Sequence, residues 1–378
     1  MIYLDNAATT FPKPQNVINS INNCLKGYSA NPGRSGHNLS IKADEQVFNC
    51  RSKIKNLFNA SSVENVIFTP SCTVAINMVL KGVLKKGDHV ICSSLEHNAV
   101  IRPLNKLKES GIEYDIARVF ADDFVSTVRS FEALIKPNTK MIICTNASNV
   151  FGVVLPIKEI GELCKSYGLL FAVDAAQTAG ILDIDMQKQN IDYLCIAAHK
   201  GLYAPMGVGI LIANKNIENT IFEGGTGSMS KLSLQPGFLP DKFESGTVNL
   251  PGIVGTSAGI DYIKTKGINN IYYKELKLIR KLYNRLNKIP NIELYTVLPY
   301  KEFYVPVLSF NVKGKDSDEV SLKLNDFNIA TRPGFHCAPL AHKTFGTIER
   351  GTVRICPSVT TNDKEIEYFI NKLKIIAK

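Results

Sequence analysis

Hydrophobic and polar positions follow two patterns between residues 64 and 213. Short apolar runs rich in β-formers are separated by longer stretches with the spacing of helices. This alternation is typical of a mainly parallel sheet that is covered by helices. The candidate strands are residues 66–69, 89–93, 141–145, 169–173, 193–197 and 208–212, and residues 157–167 form a candidate helix. The sequence therefore predicts an α/β fold.

The pattern changes towards the C-terminus. Residues 226–246 are rich in Gly, Pro and Ser, which is typical of a loop. After residue 255 the composition shifts to Lys-rich helices and a few strands. We expect a large α/β domain of residues 15–255 and a smaller α+β domain formed by residues 1–14 and 256–378.

The last segment has the start signal of a helix. Asn362 and Glu365 have the spacing of an N-cap residue and its reciprocal partner. The apolar residues that follow have helical spacing: Ile366, Phe369, Ile370 and Leu373. This pattern predicts an amphipathic helix that packs on the smaller domain.

Composition and charge exclude several classes of function. Of the 378 residues, 45% are hydrophobic and 21% are charged, as in a packed globular enzyme. The net charge of +10 arises from scattered Lys and Arg rather than from a basic stripe with aromatic residues, so nucleic-acid binding is not predicted. The longest apolar runs have the length of strands, so no membrane span is predicted.

The N-terminal sequence and the cysteines indicate the compartment. MIYLDNAATT lacks the basic, apolar and small-residue regions of a secretory signal, so we expect a cytoplasmic protein. Nine cysteines at irregular spacing do not resemble a disulfide framework, and most are predicted to be buried thiols. The sequence has no CxxC and no His pair at zinc-ligand spacing, so no metal site is predicted.

Two candidate strands end at residues that suit one cofactor. The strand at 193–197 leads to Lys200, and the strand at 169–173 leads to Asp174. Ligands of open α/β sheets bind beyond the carboxyl ends of the strands. A desolvated lysine can bond to an aldehyde cofactor, and a carboxylate can keep a pyridinium nitrogen protonated, which together suit pyridoxal phosphate (PLP). The alternatives are a surface lysine in a turn and an aspartate that caps the next turn.

Two further strand ends carry polar residues. Ser71, Cys72 and Thr73 follow the strand at 66–69 and open an apolar helical pattern. A helix N-terminus there would suit a phosphate, although the same residues would serve as an ordinary N-cap. His97 follows the strand at 89–93, where a histidine can stack on a cofactor ring and move protons. The alternative is a histidine that is merely hydrogen-bonded in a loop.

Eight motifs, in this order, resemble the class V aminotransferase family of fold-type I PLP enzymes. They are YLDNAATT (3–10), EHNAV (96–100), NASNVFG (146–152), VDAAQ (173–177), AHKG (198–201), GGTGS (224–228), FESGTVN (243–249) and RPGFHCAP (332–339). Within that family the chain is similar to the cysteine desulfurases and selenocysteine lyases with a short catalytic cysteine loop. The resemblance implies a large domain with a mainly parallel seven-stranded sheet between helices, a smaller α+β C-terminal domain, and a PLP cofactor.

The family's cofactor site carries over to this sequence residue by residue. The resemblance implies that Lys200 carries PLP, that Asp174 pairs with the ring nitrogen, that Gln177 neighbours the ring hydroxyl, and that His97 stacks on the ring. The implied phosphate contacts are Cys72, Thr73 and His199, and Asn149 helps to hold cofactor and substrate. Thr226 would reach the phosphate of the other subunit, which implies a homodimer. Two positions depart from the family: Cys72 replaces a hydroxyl residue and Ala197 replaces a serine that many relatives have.

The substrate residues are also implied by the resemblance. Arg354, in GTVRICPS, matches the arginine that binds the substrate carboxylate with its planar guanidinium, and Arg332 is a second substrate-binding candidate. Cys337 matches the cysteine that takes the substrate's sulfur. The nearby cations Arg332 and His336 are expected to favour its thiolate. The alternative for Cys337 is a small buried thiol.

The resemblance implies a cysteine desulfurase with Lys200, Cys337 and His97 as catalytic residues. L-cysteine would become L-alanine, and a persulfide on Cys337 would pass its sulfur to an acceptor protein. Three alternatives stay open: a selenocysteine lyase acting on L-selenocysteine, a class V aminotransferase or lyase of other specificity, and a protein that keeps the fold without catalysis.

Overall fold

The computed structural model describes residues 1–33 and 36–378. Its helices are α1 (Gln15–Gly27), α2 (Asn38–Phe58), α3 (Cys72–Val83), α4 (Asn98–Lys108), α5 (Phe124–Glu132), α6 (Ile157–Tyr167), α7 (Leu250–Lys266), α8 (Ile268–Leu286), α9 (Ser317–Asp326), α10 (Pro339–Thr344) and α11 (Asp363–Ile376). Its strands are β1 (Ile2–Tyr3), β2 (Val66–Thr69), β3 (His89–Ser93), β4 (Glu113–Ala117), β5 (Thr139–Thr145), β6 (Leu170–Asp174), β7 (Tyr193–Ala197), β8 (Gly209–Ala213), β9 (Ile292–Leu294), β10 (Leu308–Val312), β11 (Ile329–Ala330) and β12 (Val353–Ile355).

A seven-stranded sheet forms the centre of the larger part of the molecule. Its strand order is β2-β8-β7-β6-β5-β3-β4. The pairs β7/β6, β6/β5, β5/β3 and β3/β4 are parallel, whereas β8 is antiparallel to both of its neighbours. β2 therefore runs in the same direction as β7. The predicted α/β fold with a mainly parallel sheet is confirmed, and the carboxyl ends of β2, β3, β5, β6 and β7 lie at one edge.

The strand predictions missed β4. Its sequence, EYDIA, has two exposed and two half-exposed residues before the buried Ala117. β4 lies at the end of the sheet, where only one neighbour pairs with it. An edge strand with charged residues gives no apolar run in the sequence. By contrast, every residue of β3, β7 and β8 is buried.

The C-terminal part builds a second, smaller core. β12, β10 and β9 form an antiparallel sheet, and β1 pairs in parallel with β11. α11 packs there as predicted, and its capping box is complete because the Asn362 side chain and the Glu365 side chain each accept the other's backbone N–H. α7 continues through residue 255, and Ile253, Ile260 and Ile263 belong to the core of the large sheet. The exact domain limits stay a prediction.

Two other expectations concern membrane-spanning helices and the cysteine thiols. Among the described residues, no helix is both long and apolar enough to cross a bilayer. All nine cysteines are free thiols, and eight of them are buried. The exception is Cys337, which is exposed.

A buried carboxyl in the second core gives a testable pH dependence. Glu275 on α8 accepts the backbone N–H of Val359 at 2.8 Å, and burial raises the pKa of its carboxyl from the ordinary 4.5 to about 8. The unfolded chain therefore loses this proton at lower pH than the folded protein, and Glu275's contribution to stability disappears as the pH rises through that range. As the pH rises from about 4.5 to about 8, we expect Glu275→Gln to lose less unfolding free energy than the unchanged protein in denaturant titrations.

Glu349→Gln, at an exposed position, is the control for this measurement. It should keep the pH dependence of the unchanged protein. Parallel stability curves for Glu275→Gln and the unchanged protein would contradict the assignment.

Candidate active site

A cavity of about 180 Å³ lies at the carboxyl edge of the sheet. It collects residues from five strand ends: Ser71, Cys72, Thr73, His97, Ala99, Thr145, Asn149, Asp174, Ala176, Gln177, Ala197, His199 and Lys200. This group contains every residue that the sequence analysis assigned to the cofactor, except Thr226, which was assigned to the other subunit. The parallel strands bring them together because their carboxyl ends share one edge.

Lys200 and Asp174 form the charged centre of the cavity. Lys200 follows β7 in a turn in which its N–H bonds to the carbonyl of Ala197 at 3.2 Å. Burial lowers the pKa of the Lys200 amine, and Arg354 and Arg332 act in the same direction, whereas the negative charge of Asp174 opposes them. A lysine with a lowered pKa has a larger neutral, nucleophilic fraction. Its position excludes an ordinary surface lysine.

Asp174 is buried at the end of β6. Its Oδ1 accepts the N–H of Ala176 at 2.9 Å and the thiol of Cys72 at 3.5 Å. Cys72, which replaces a hydroxyl residue of the family, therefore donates its S–H to Asp174. These bonds fix the carboxylate at the bottom of the cavity, where a charge needs hydrogen-bond donors to be stable.

His97 caps helix α4 and lines the cavity. Its Nδ1 accepts the N–H of Ala99 at 3.0 Å, so the proton of the neutral ring is on Nε2. Burial lowers the pKa of His97, while Asp174 acts in the opposite direction and Lys200 adds to the lowering. The lowered pKa favours the neutral ring at neutral pH.

Glu96, directly before His97, is a buried carboxyl that the sequence reasoning missed. Its Oε1 accepts the N–H of Thr145 at 2.9 Å and the hydroxyl of Ser93, and its Oε2 has no partner among the described residues. Burial raises the pKa of Glu96 to about 8. It is part of the EHNAV motif, but sequence gives no signal that it is buried.

The N-terminus of α3 forms one end of the cavity. Ser71 is the N-cap, and its hydroxyl accepts the N–H of Val74 at 3.3 Å. The N–H groups at the start of a helix lack intrahelical partners and attract anions. His199 lies at the same cavity, and its buried Nδ1 has no partner among the described residues. Burial lowers the pKa of His199 to about 4, so its ring is neutral.

Gly209 on β8 sets the position of this helix terminus. A Cβ at Gly209 would collide with the carbonyl carbon of Ser71 and would lie 2.6 Å from the nitrogen of Cys72. We expect Gly209→Ala to displace the start of α3. The PLP phosphate that the family resemblance implies at this helix terminus should then bind about tenfold or more weakly, because small displacements of binding groups have large effects. Titration of the purified protein with PLP, followed by visible absorbance, measures this. Gly237→Ala, where nothing lies within 4 Å of the added carbon, should bind PLP like the unchanged protein.

Arg354 lies behind the cavity and is almost completely buried. Its Nη2 is 2.7 Å from Oδ1 of Asp5, its Nη1 donates to the carbonyl of Asn149 at 3.0 Å, and its Nε has no partner among the described residues. Arg332 pairs with Arg354 through two backbone hydrogen bonds of 2.8 and 3.3 Å. Neither arginine lines the cavity itself, but Asn149 connects Arg354 to it.

The N-terminal segment contributes two residues that the sequence reasoning did not single out. One is Asp5, the partner of Arg354. The other is Lys13, whose Nζ donates to the carbonyl of His199 at 2.8 Å. Burial lowers the pKa of Lys13 to about 8. Asp5 lies in the YLDNAATT motif, which marked the segment as important without giving its function.

Cys337 is connected to the site by a backbone hydrogen bond. Its carbonyl accepts the N–H of Asn98 at 2.7 Å, directly after His97 in the chain. The expectation of two cations beside Cys337 is wrong for His336. That ring is buried, and burial together with the charge of Arg354 lowers its pKa to about 2. His336 is therefore neutral, and Arg332 is the remaining cation of the pair.

Thr226 does not line the cavity that contains Lys200 of the same chain. It lines a separate cavity of about 370 Å³ with residues such as Asp44, Arg51, Asp241 and Glu244. Its hydroxyl lies 3.2 Å from that of Ser228. Among residues 1–33 and 36–378, no group of three or more His, Cys, Asp or Glu could hold a metal ion.

The motifs and this geometry agree with one protein family. The family model described as Aminotransferase class-V matches residues 2–369. The chain belongs to this family. The predicted family is thus confirmed.

Relatives of this class V chain are described as cysteine desulfurases. It is 32% identical over its full length to a probable cysteine desulfurase of Methanothermobacter thermautotrophicus, 94% of which is covered. It is 31% identical over its full length to a cysteine desulfurase of Wigglesworthia glossinidia brevipalpis, 93% of which is covered. The apo structure of the cysteine desulfurase from Thermococcus onnurineus superimposes with a TM-score of 0.91 at 29% identity, covering 100% of this chain and 94% of that one. The seven-stranded fold is therefore the one found in cysteine desulfurases.

Proposed function

We propose that this protein is a PLP-dependent cysteine desulfurase. L-cysteine is converted to L-alanine, and the sulfur remains on Cys337 as a persulfide until an acceptor protein takes it. One observation carries the proposal: the exposed Cys337 is bonded through its carbonyl to Asn98, next to His97, at a cavity that contains Lys200 and Asp174. Cysteine desulfurases among the relatives support it.

The residues of the cavity fit PLP. Lys200 would bond to it, Asp174 would pair with the ring nitrogen, Gln177 would neighbour the ring hydroxyl, and His97 would stack on the ring. The phosphate would be held by the start of α3, with Cys72 and Thr73, and by Nδ1 of His199, which has no partner among the residues that the structure describes. When bound, PLP withdraws electrons from the α-carbon of an amino acid that is attached to it.

Arg354 binds the carboxylate of the substrate. A guanidinium has five N–H donors, and beside the bonds to Asp5 and Asn149 the Nε of Arg354 has no partner among the described residues. Its planar shape matches a carboxylate with two parallel bonds. Asn149 lies between Arg354 and the cavity and helps to orient the bound amino acid.

Proton transfers by Lys200 and His97 prepare the sulfur step. The amine of Lys200, with its lowered pKa, removes the α-proton. His97 carries the proton of the substrate thiol. The Cys337 thiolate then attacks the substrate sulfur: an S–S bond forms, the C–S bond breaks, and the organic product leaves as alanine after it takes up a proton. The atoms balance, since cysteine and one enzyme thiol give alanine and one enzyme persulfide.

The proposal includes a homodimer in which Thr226 contacts the PLP phosphate of the other subunit. Thr226 lies outside the cavity of its own chain, as a contact to a second subunit requires. Several large apolar side chains in the same region are exposed: Met206, Phe222, Met229, Leu232, Leu234 and Phe238. Exposed apolar residues of this size are typical of a surface that another protein covers.

The deciding experiment measures products with two substrates. The PLP-loaded protein is incubated with L-cysteine or with L-selenocysteine, and alanine and sulfide or selenide are quantified. Alanine from L-cysteine supports the proposal. Activity on L-selenocysteine alone would make the protein a selenocysteine lyase, and release from neither would leave only a class V protein of other function.

A further inference from the structure

The loop that carries Cys337 has an unusual backbone. His336 and Cys337 have φ angles of +52° and +56°, so two consecutive residues with side chains are in the left-handed region. This conformation is unfavourable for a residue with a side chain and persists only where its surroundings hold it there. The residues that hold this loop are therefore important for the direction of the Cys337 thiol.

Backbone bonds account for part of this restraint. The carbonyl of Cys337 accepts the N–H of Asn98 at 2.7 Å, and the carbonyl of His336 accepts Nδ2 of Asn149 at 2.8 Å. Gly334 pairs with Thr352 through two backbone bonds of 3.0 and 3.1 Å. These bonds join the backbone of the loop to the active site, but none of them involves the ring of His336.

The His336 ring starts a buried chain of hydrogen bonds. Its Nε2 lies 3.0 Å from the carbonyl of Arg332, and its Nδ1 lies 3.4 Å from Nε2 of His342. Nδ1 of His342 lies 2.7 Å from the hydroxyl of Thr347. The planes of the two rings are nearly parallel, 12° apart, and their centroids are 5.6 Å apart, as expected for rings that are joined edge to edge by a hydrogen bond. His336, His342 and Thr347 are all buried.

The carbonyl of Arg332 sets the direction of the protons in this chain. The carbonyl of Arg332 only accepts, so the proton of His336 is on Nε2 and its Nδ1 accepts. His342 then donates from Nε2. Its Nδ1 accepts the hydroxyl of Thr347 at 2.7 Å, and the same hydroxyl lies 3.4 Å from the carbonyl of His342. Both rings are neutral, because burial lowers the pKa of His336 to about 2 and that of His342 to about 4.

We propose that His342 and Thr347 are positioning residues for the sulfur transfer. Through the ring of His336 they hold the left-handed backbone that keeps the Cys337 carbonyl on Asn98 and the thiol beside the cavity. Neither residue contacts the cavity, and neither lies in a motif singled out in the sequence. The expected loss of persulfide formation rests on the proposed function. The expected loosening of the Cys337 loop does not, because it can be measured without the reaction.

The test compares two variants that remove the hydrogen bonds: Thr347→Val, which keeps the volume, and His342→Phe, which keeps a flat aromatic ring of slightly larger size. The first measurement is amide hydrogen exchange at Asn98 in the protein without substrate. Asn98 begins α4, so the Cys337 carbonyl is what protects its N–H. We expect protection to fall about tenfold in both variants, as for a loop that opens more often. Thr347→Ser should restore it.

The second measurement separates two steps of the reaction with PLP bound. Exchange of the α-proton of L-alanine with solvent depends on Lys200, whereas persulfide formation from L-cysteine also depends on Cys337. We expect persulfide formation to fall about tenfold in Thr347→Val and His342→Phe, as for a misplaced reacting group, while α-proton exchange changes less than about twofold.

Thr352→Val is the matched control. Thr352 is buried and pairs with the same loop, but its hydroxyl has no partner among the described residues. It should behave like the unchanged protein in both measurements. Unchanged Asn98 protection in Thr347→Val and His342→Phe would overturn the proposal, and so would equal losses in Thr352→Val. If the unchanged protein forms no persulfide, the proposed function fails, but the exchange result still decides the role of the two residues.

Discussion

Lys200→Ala is expected to abolish alanine release from L-cysteine, with a loss of about 10⁴-fold or more, because one group both bonds to the cofactor and moves the α-proton. Lys200 is the amine in the cavity beside Asp174, and burial lowers its pKa. The same variant should lose the visible absorbance that arises when PLP is bonded to a lysine. Alanine is measured by chromatography, and the spectrum is recorded on the same samples.

Lys343→Ala is the control for this prediction. Lys343 is exposed on α10, near Cys337 in the chain, and does not line the cavity. It should keep both activity and absorbance. A Lys200→Ala protein that still shows the absorbance of lysine-bonded PLP would mean that a different lysine, such as the half-buried Lys13, carries the cofactor.

Cys337→Ala should remove persulfide formation and lower alanine release from L-cysteine by about 10³-fold or more, because no nucleophile is left to take the sulfur. The residue is exposed, so the substitution leaves no cavity and the fold should be unaffected. Exchange of the α-proton of L-alanine should continue, since it depends on Lys200 and not on Cys337. Mass spectrometry of the protein after incubation with L-cysteine detects the persulfide directly.

Lys343→Ala also tests whether any change near this loop has the same effect. Lys343 is exposed six residues after Cys337. We expect it to form the persulfide at a rate within a few fold of the unchanged protein. Full alanine release by Cys337→Ala would show that the protein is a class V enzyme of other specificity, in which the cysteine is dispensable.

Much of the fold was predictable because buried parallel strands leave a clear pattern. β2, β3 and β7 have the predicted limits, and β6 and β8 are shifted by one residue. The carboxyl ends of these strands identified the region of Asp174 and Lys200. The edge strand β4 was missed because its residues are polar and half exposed, which in a sequence resembles a loop.

The cavity residues were predictable, whereas their electrostatics were not. Sequence showed a histidine and an arginine near Cys337 and suggested two cations. The structure shows that His336 is buried and neutral, and that Arg354 is already paired with Asp5 from the other end of the chain. Desolvation and distant charges determine a pKa, and neither is visible in local sequence.

The sequence by itself determined which residues stand at the strand ends, because the α/β pattern and the order of the motifs fix them along the chain. Only the tertiary structure decided which groups hold them in place. Gly209 is needed because β8 lies against the start of α3, and the ring of His336 is held by His342 on α10, which in turn contacts Thr347. Such contacts depend on packing between segments whose positions become defined only in the folded chain.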